Sequence, residues 1–416
     1  MITQSSAAIN RLRPNLVAAT FLFVLVMFAP VSHAGALGFT ILAGIAGIAG
    51  FASVQKPIAL TNFPIAVWTL FLFLIWAATT SLWSPYEDTQ PVTNPIKLLL
   101  GAGLFLGVFL LPASLSKPFK NKMAHFLAFV GFVTLSLLLF DQITGYALID
   151  LFDPLDEGQH PEKRQHIIYQ NLSHSVTILA LLVPIITPRL WQEGRTGKGL
   201  AVIFLVGVIV SAILGKLAAG ALAVGAAALF MIIARHWPKR AVKAVMALAI
   251  ASIMFAPLAG YAMQKVPQST KENVADSWEH RIEMWSYVSE KIGEKPFFGH
   301  GFDASRTFDR KYDGMSVNGK PYEQTIISLH PHNSGLQVWV ETGAIGALLF
   351  SLFLFMLQKK LTSYVEKDSY SAVYIAGYVA AALTICTLTY GVWQEWWWGA
   401  LIFIGALIPI VKMNTE

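Results

Sequence analysis

Apolar stretches of membrane-spanning length recur along this sequence, at about 15–32, 35–54, 64–82, 96–112, 123–140, 167–187, 199–215, 217–234, 242–263, 335–357, 371–390 and 396–411. A bilayer's hydrocarbon core takes roughly 20 helical residues, with a range of about 17–25. Two boundaries rest on further argument. The stretch 199–234 is nearly two bilayers long as one helix, so the sequence is split near Gly215-Lys216. The first two stretches are separated only by Ser32-His33-Ala34, which suits a helical hairpin. The same residues resemble a small-residue cleavage site behind Arg11, Arg13 and an apolar run, so a signal peptide is the alternative for the first stretch.

Composition agrees with a bilayer as the solvent. Charged residues make up 13% of the 416 residues, where soluble domains run near 25%. The fold class expected is therefore all-α: a polytopic membrane protein of about twelve spans, divided as 1–263, a large loop 264–334, and 335–416. Cys386 is the single cysteine, which excludes an intrachain disulfide and a cysteine-built zinc cluster. The net charge of +6 reads as topogenic loop charge, not as nucleic-acid binding. With the N-terminus in the cytoplasm, cytoplasmic loops hold 17 lysines and arginines, among them Arg11, Arg13 and Lys56. The short loops opposite hold four: Lys97, Lys163, Arg164 and Lys216. The long loop is left out because long loops translocate whatever their charge.

Two outer segments stand out. Residues 141–166 carry Asp141, Asp150, Asp153, Asp156 and Glu157; residues 264–334 form the one soluble module of any size. Within the latter, 276–294 reads as a helix, with capping-box spacing between Asp276 and Glu279 and Ile282, Trp285, Val288 and Ile292 on one face. Arg281 shares that face, so its guanidinium points toward membrane or protein. It either snorkels to headgroups or clamps a phosphate, which its planar fork suits. Gly299-His300-Gly301 makes a tight turn, as a structural corner or as a cleft wall. His330-Pro331-His332-Asn333-Ser334 follows where the loop returns to the membrane. A histidine there serves as a general base, as one of two His-x-His metal ligands, or as a cap for the next helix.

Other positions carry similar pairs of readings. Glu341 is a buried partner or a site carboxylate, and Gly343 and Gly346, three apart, suit close helix packing. Lys216 snorkels or binds an anion. His174 and Asn171 are satisfied bundle residues or neighbours of a site. The tryptophans at 393 and 396–398 read as an interfacial belt. No nucleotide-binding loop is present. Group transfer on the outer face therefore needs a donor that carries its own leaving group, such as a polyprenyl diphosphate reached laterally through lipid.

Four pieces, in this order, resemble one known family. They are Arg281-Ile282-Glu283-Met284-Trp285; Lys295-Pro296-Phe297-Phe298-Gly299-His300-Gly301-Phe302; His332-Asn333-Ser334-Gly335-Leu336-Gln337; and Glu341-Thr342-Gly343-Ala344-Ile345-Gly346. The family is the O-antigen ligase and Wzy polymerase superfamily. The likeness covers about 280–350, while the first 160 residues match only in hydropathy. It implies a metal-independent, inverting glycosyltransferase with no cofactor, taking a glycan from undecaprenyl diphosphate at the periplasmic face of a bacterial inner membrane. His332 would take or orient the acceptor's proton, and Arg281 would stabilise the leaving diphosphate. A second family arginine sits in a Ser-Arg-Gly-like turn; here the turn is Gly215-Lys216-Leu217, which keeps the charge and loses the fork. The acceptor would be lipid A–core in a ligase, or a second lipid-linked glycan in a polymerase; a related branch glycosylates proteins. The long loop and the His-Pro-His-Asn segment favour ligase. A transporter of the same lipid would instead show internal repeats, broken helices near the midplane and charges deep in several spans.

Overall fold

A computed structural model describes residues 2–54, 63–86, 93–152, 161–271, 273–315, 321–327 and 329–412. Lys56, Asp153, Asp156 and Glu157 lie outside these, as do the side chains of Arg11, Arg13, Lys163 and Asp276. All twelve apolar stretches form helix, and the chain is an all-α, polytopic membrane protein. Among the described residues nine helices are long and apolar enough to cross a bilayer. A tenth span results if Pro238–Met254 and Ala256–Gln264, bent by 59°, are taken together. The remaining two stretches fall short of full spans: Phe39–Ala52 and Glu395–Val411 are shorter apolar helices. The first of these starts late because Gly35 and Ala36 turn left-handed (φ 96° and 63°) before it.

Leucines and isoleucines that would be costly in water line the outside, among them Ile203, Ile213, Leu222, Leu229 and Ile232, each at least half exposed. Lipid tails are their solvent. The central element is the helix Pro161–Trp191, whose residues Ile178–Ile185 lie apolar and buried all round, as expected of a helix enclosed by others. It packs on Lys117–Thr144, Gly194–Leu214, Ala218–His236 and Ser371–Leu388. The split at Gly215-Lys216 is where the chain turns between two of these.

The large loop begins with the helix Asp276–Glu294, preceded by Ala275 in extended conformation. Its buried residues are Met284, Tyr287, Val288 and Ile292. The face is thus turned slightly from the expected one, leaving Ile282 and Trp285 half-buried. A two-stranded antiparallel hairpin follows, Lys311–Met315 with Pro321–Thr325, pairing Asp313 with Glu323. The sequence reading expected short helices in this loop and named no strand. These strands lack the alternating apolar pattern that marks a strand, so the period gave no signal.

The helix Ser334–Lys367 is broken where packing glycines were expected. Gly343 adopts φ 67°, ψ −169° inside it. The break frees backbone groups at both ends, and the segment 296–301 takes them up. Ala344 N–H donates to the Pro296 carbonyl at 2.8 Å, while His300 N–H and Gly301 N–H donate to the Val340 and Glu341 carbonyls at 2.8 and 2.9 Å. Trp76 Nε1–H donates to the Thr342 carbonyl at 2.9 Å. Irregular backbone within a membrane protein is tolerated where protein satisfies it in this way. The two glycines of Gly299-His300-Gly301 are both left-handed, so the tight turn is a structural corner docked into the break.

A Cβ at position 343 would lie 2.2 Å from the Phe297 carbonyl oxygen, in a backbone region that L-residues avoid. Gly343→Ala is expected to destabilise by about 1–3 kcal/mol or more. Gly225→Ala, where an added Cβ meets nothing within 4 Å, serves as the control. Thermal unfolding of both variants in detergent checks this; equal transition temperatures would contradict it.

Candidate functional site

The helix Ser371–Leu388 ends with two consecutive carbonyls, and each takes a hydrogen bond from a different part of the large loop. Arg281 Nη2–H donates to the Leu388 carbonyl at 3.3 Å. His332 Nδ1 lies 2.5 Å from the Thr389 carbonyl oxygen. A carbonyl only accepts, so Nδ1 carries the proton and Nε2 presents its lone pair. No described residue bonds to that Nε2. The last carbonyls of a helix lack intrahelical partners and carry partial negative charge. They suit a guanidinium and an imidazole that becomes cationic.

Arg281 is held inside the protein and not among headgroups. Its Nη1–H donates to the Ser277 carbonyl at 2.7 Å, its Nε is buried with no partner among the described residues, and Trp278 lies 5.7 Å beneath it. The nearby Glu283 is engaged with Lys271 at 2.5 Å, and no described carboxylate pairs with Arg281. Burial presses its pKa below the usual arginine value. A half-buried guanidinium whose Nε is buried without a partner, with no counter-ion among the described residues, is a place for an anion.

His332 adopts a left-handed backbone, φ 51°, uncommon for a residue with a side chain. That conformation turns its N–H onto His330 Nδ1 at 3.2 Å, and the two rings stand 4.5 Å apart, edge to face. Burial lowers the His332 pKa to about 4; the Thr389 carbonyl opposes the shift, and the neighbouring Arg281 and His280 reinforce it. Burial also takes His330 well below the ordinary imidazole value. Both rings are therefore neutral near pH 7. Asn333, not a histidine, caps the next helix: its Oδ1 accepts from Leu336 N–H at 3.0 Å. Trp285 Nε1–H donates to the Pro331 carbonyl at 2.9 Å and ties this turn to the Arg281 helix.

The other candidates sit at graded distances. Lys216 is also left-handed, φ 54°, and makes no ion pair with a described residue. It shares the face of Leu388-Thr389. Ala218–His236 packs along Ser371–Leu388, and Arg235 at its far end stacks on Tyr370, which precedes the other helix. The two run antiparallel, so the Lys216 turn lies at the Leu388 end. No direct contact joins Lys216 to Arg281 or His332. His174 stands one ring behind the site: its Nδ1 lies 2.6 Å from the Gly35 carbonyl oxygen, and Tyr390 is 5.3 Å away. Asn171 packs beneath Gly35 in the same layer. Glu341 is fully buried and fully bonded. It accepts from Asp303 N–H at 3.0 Å, Ser305 Oγ–H at 2.5 Å and Trp393 Nε1–H. Its contacts fasten the 299–305 corner to the broken helix.

The tryptophans at 393 and 396–398 correct a sequence reading. All are at most 9% exposed and pack inside the protein, so they form no interfacial belt. Sequence reasoning also missed the Leu388 and Thr389 carbonyls, which carry no side-chain signature, and Tyr390, whose hydroxyl lies 3.1 Å from Thr177 Oγ1. Among the described residues no three His, Cys, Asp or Glu side chains converge as metal ligands.

Residues 199–351 match a protein-family model described as O-antigen ligase. Three relatives bear the name "Putative polysaccharide ligase". The one from Rickettsia bellii is 29% identical over 160 residues, 38% of each chain. The one from Rickettsia conorii is 25% identical over 345 residues, 82% of this chain and 78% of that one. A third, from Rickettsia felis, is 29% identical over 32% of each chain. The chain thus spans little more than a third of the Rickettsia bellii relative that it matches. The matched family segment contains Lys216, Arg281, His330, His332 and Glu341, the same stretch in which the geometry gathers its candidates. Over residues 199–351 the chain is similar to the O-antigen ligase family, and over most of its length it is similar to a polysaccharide ligase relative.

Proposed function

We propose that this protein is an O-antigen ligase of a bacterial inner membrane, moving a glycan from undecaprenyl diphosphate to lipid A–core on the periplasmic face. The observation that carries the reading is the pairing at Leu388-Thr389, where a neutral imidazole with an open Nε2 stands beside a half-buried guanidinium that has no carboxylate partner among the described residues. In the proposed reaction the acceptor's hydroxyl gives its proton to His332 Nε2 while its oxygen bonds to the sugar's C1. The C1–O bond to phosphate breaks on the opposite side and inverts the anomeric centre. The diphosphate leaves with the bonding electrons. Arg281 meets the charge that builds on it, with Lys216 as a second cation from the neighbouring turn. Fixed cations in a dry site stabilise a leaving anion without reorganising. The donor's tail stays in lipid.

Counted with all twelve apolar stretches crossing, the placement of charge supports the periplasmic face: 17 cytoplasmic lysines and arginines against four in the short outer loops. The polymerase reading uses the same residues and differs in the acceptor, a second lipid-linked glycan. In a strain deleted for the gene, long glycan held on the lipid carrier with bare lipid A–core is expected. Core capped by a single repeat, with no long polymer, would mean polymerase instead. Complementation with His332→Ala is expected to cut transfer by roughly 10²–10⁴-fold. Arg281→Lys, which keeps charge but loses the fork, is expected to cut it by roughly 10²–10³-fold. Near-normal transfer by either, with protein present in the membrane, would remove that residue from the mechanism.

The base works in its neutral form, so lowering its pKa extends activity to lower pH. The acid limb of kcat/KM, which reports free enzyme, is expected near the His332 value of about 4. A bound diphosphate places negative charge beside the ring and favours imidazolium, so the acid limb of kcat is expected at higher pH than that of kcat/KM. A kcat/KM limb at the ordinary imidazole value of 6.5 would contradict the buried-base geometry.

A further inference from the structure

A cavity of about 320 Å³ is lined by His330 but not by His332, together with Asp303, Arg306, Gln394, Glu395 and Trp396 among others. Its volume falls at the small end of the roughly 300–1,000 Å³ that ligand pockets span. Neither Arg281 nor Lys216 lines it. Four parts of the chain line it: the start of the second apolar helix (Leu37, Thr40), the corner docked into the broken helix with Arg306, the stretch from Leu329 to Gln337, and the turn that opens the last helix. Gly391 makes room at its inner end, since a Cβ there would lie 2.9 Å from the His330 ring.

Its polar groups alternate in kind. His330 Nδ1 accepts from His332 N–H, so the ring's own proton sits on Nε2, which bonds to no described residue and can donate. Gln394 uses Oε1 to accept from Gly391 N–H at 3.2 Å, which leaves its amide NH₂ unbonded among the described residues. Glu395 is half-buried and makes no hydrogen bond or ion pair with a described residue. Arg306 Nε lies 3.1 Å from Asp303 Oδ1, and its guanidinium remains one-third exposed. Interleaved donors and acceptors suit a ligand whose every polar group is both, and a sugar hydroxyl is that group.

Charge separates this cavity from the Arg281 side. Asp303 and Glu395 outweigh Arg306, and both nearby histidines are neutral. A diphosphate is repelled here and drawn to the unpaired cations across the ring pair. We propose that the cavity binds the terminal sugar of the acceptor as a neutral, hydroxyl-rich ring, so that its attacking oxygen meets His332 from the side opposite the diphosphate. This rests on the glycosyl-transfer reading above and adds where the acceptor lies.

The test uses the purified full chain in detergent, with undecaprenyl-diphosphate-linked glycan as donor and lipid A–core from the deletion strain as acceptor, each titrated separately. Glu395→Gln and Arg306→Gln are each expected to raise the acceptor KM about tenfold, the scale of a lost hydrogen bond to a charged group. The donor KM should stay within about twofold, and thermal unfolding of Glu395→Gln should match wild type, because that carboxylate holds nothing together. An unchanged acceptor KM in both variants overturns the proposal, and so does a rise in donor KM instead, which would assign the cavity to the donor's sugar. Wild-type chain that transfers nothing overturns the glycosyl-transfer reading itself, and the cavity's assignment with it.

Discussion

The carbonyls of Leu388 and Thr389 are the point on which the site depends. A helix end inside a membrane protein leaves acceptors that must find donors, and here the donors are Arg281 and His332. Two residues fifty-one positions apart in sequence are thereby held on adjacent backbone atoms. The same contact fixes the imidazole's tautomer, aims Nε2 outward and stabilises the ring if it takes a proton. It costs Arg281 no carboxylate partner, so the guanidinium keeps its affinity for an incoming anion.

A second constraint holds the loop in place. The break at Gly343 opens a socket in the membrane helix, and the segment 296–305 fills it with backbone hydrogen bonds and the bonded carboxylate of Glu341. That docking positions Asp303 and Arg306 at one wall of the cavity beside His330. The site is built on a loop clipped at two places, a helix end and a helix break. Both clips use main-chain groups that lipid cannot satisfy. The left-handed backbones at Asp303 and His332 sit at these positions, and Lys216 is left-handed in the turn before Ala218–His236. Such strain persists where surrounding contacts over-determine it.

Much of this was legible in the sequence. All twelve apolar stretches proved helical because a bilayer imposes length and composition together. Arg281 read correctly as facing protein or membrane, from its spacing to Trp285 and Val288. The His330–Ser334 segment stood out because histidines are scarce where a chain returns to lipid. What stayed hidden has physical reasons. Gly343 looks the same in sequence whether it packs a helix or breaks one. The hairpin at 311–325 has no period-two pattern. The tryptophans at 393 and 396–398 sit where a belt would sit, and only tertiary contacts reveal that protein covers them. The carbonyls of Leu388 and Thr389 have no side-chain signature at all.

The central claim is that donor diphosphate and acceptor hydroxyl meet on the two sides of His332. A cryo-electron microscopy structure of the chain with undecaprenyl diphosphate bound tests it most directly. Phosphate oxygens are expected within hydrogen-bond distance of Arg281, with His332 Nδ1 still on the Thr389 carbonyl and Nε2 open toward the cavity beside His330. A diphosphate seated in that cavity, or bound elsewhere with Arg281 still closed on Ser277 and Leu388, would contradict it.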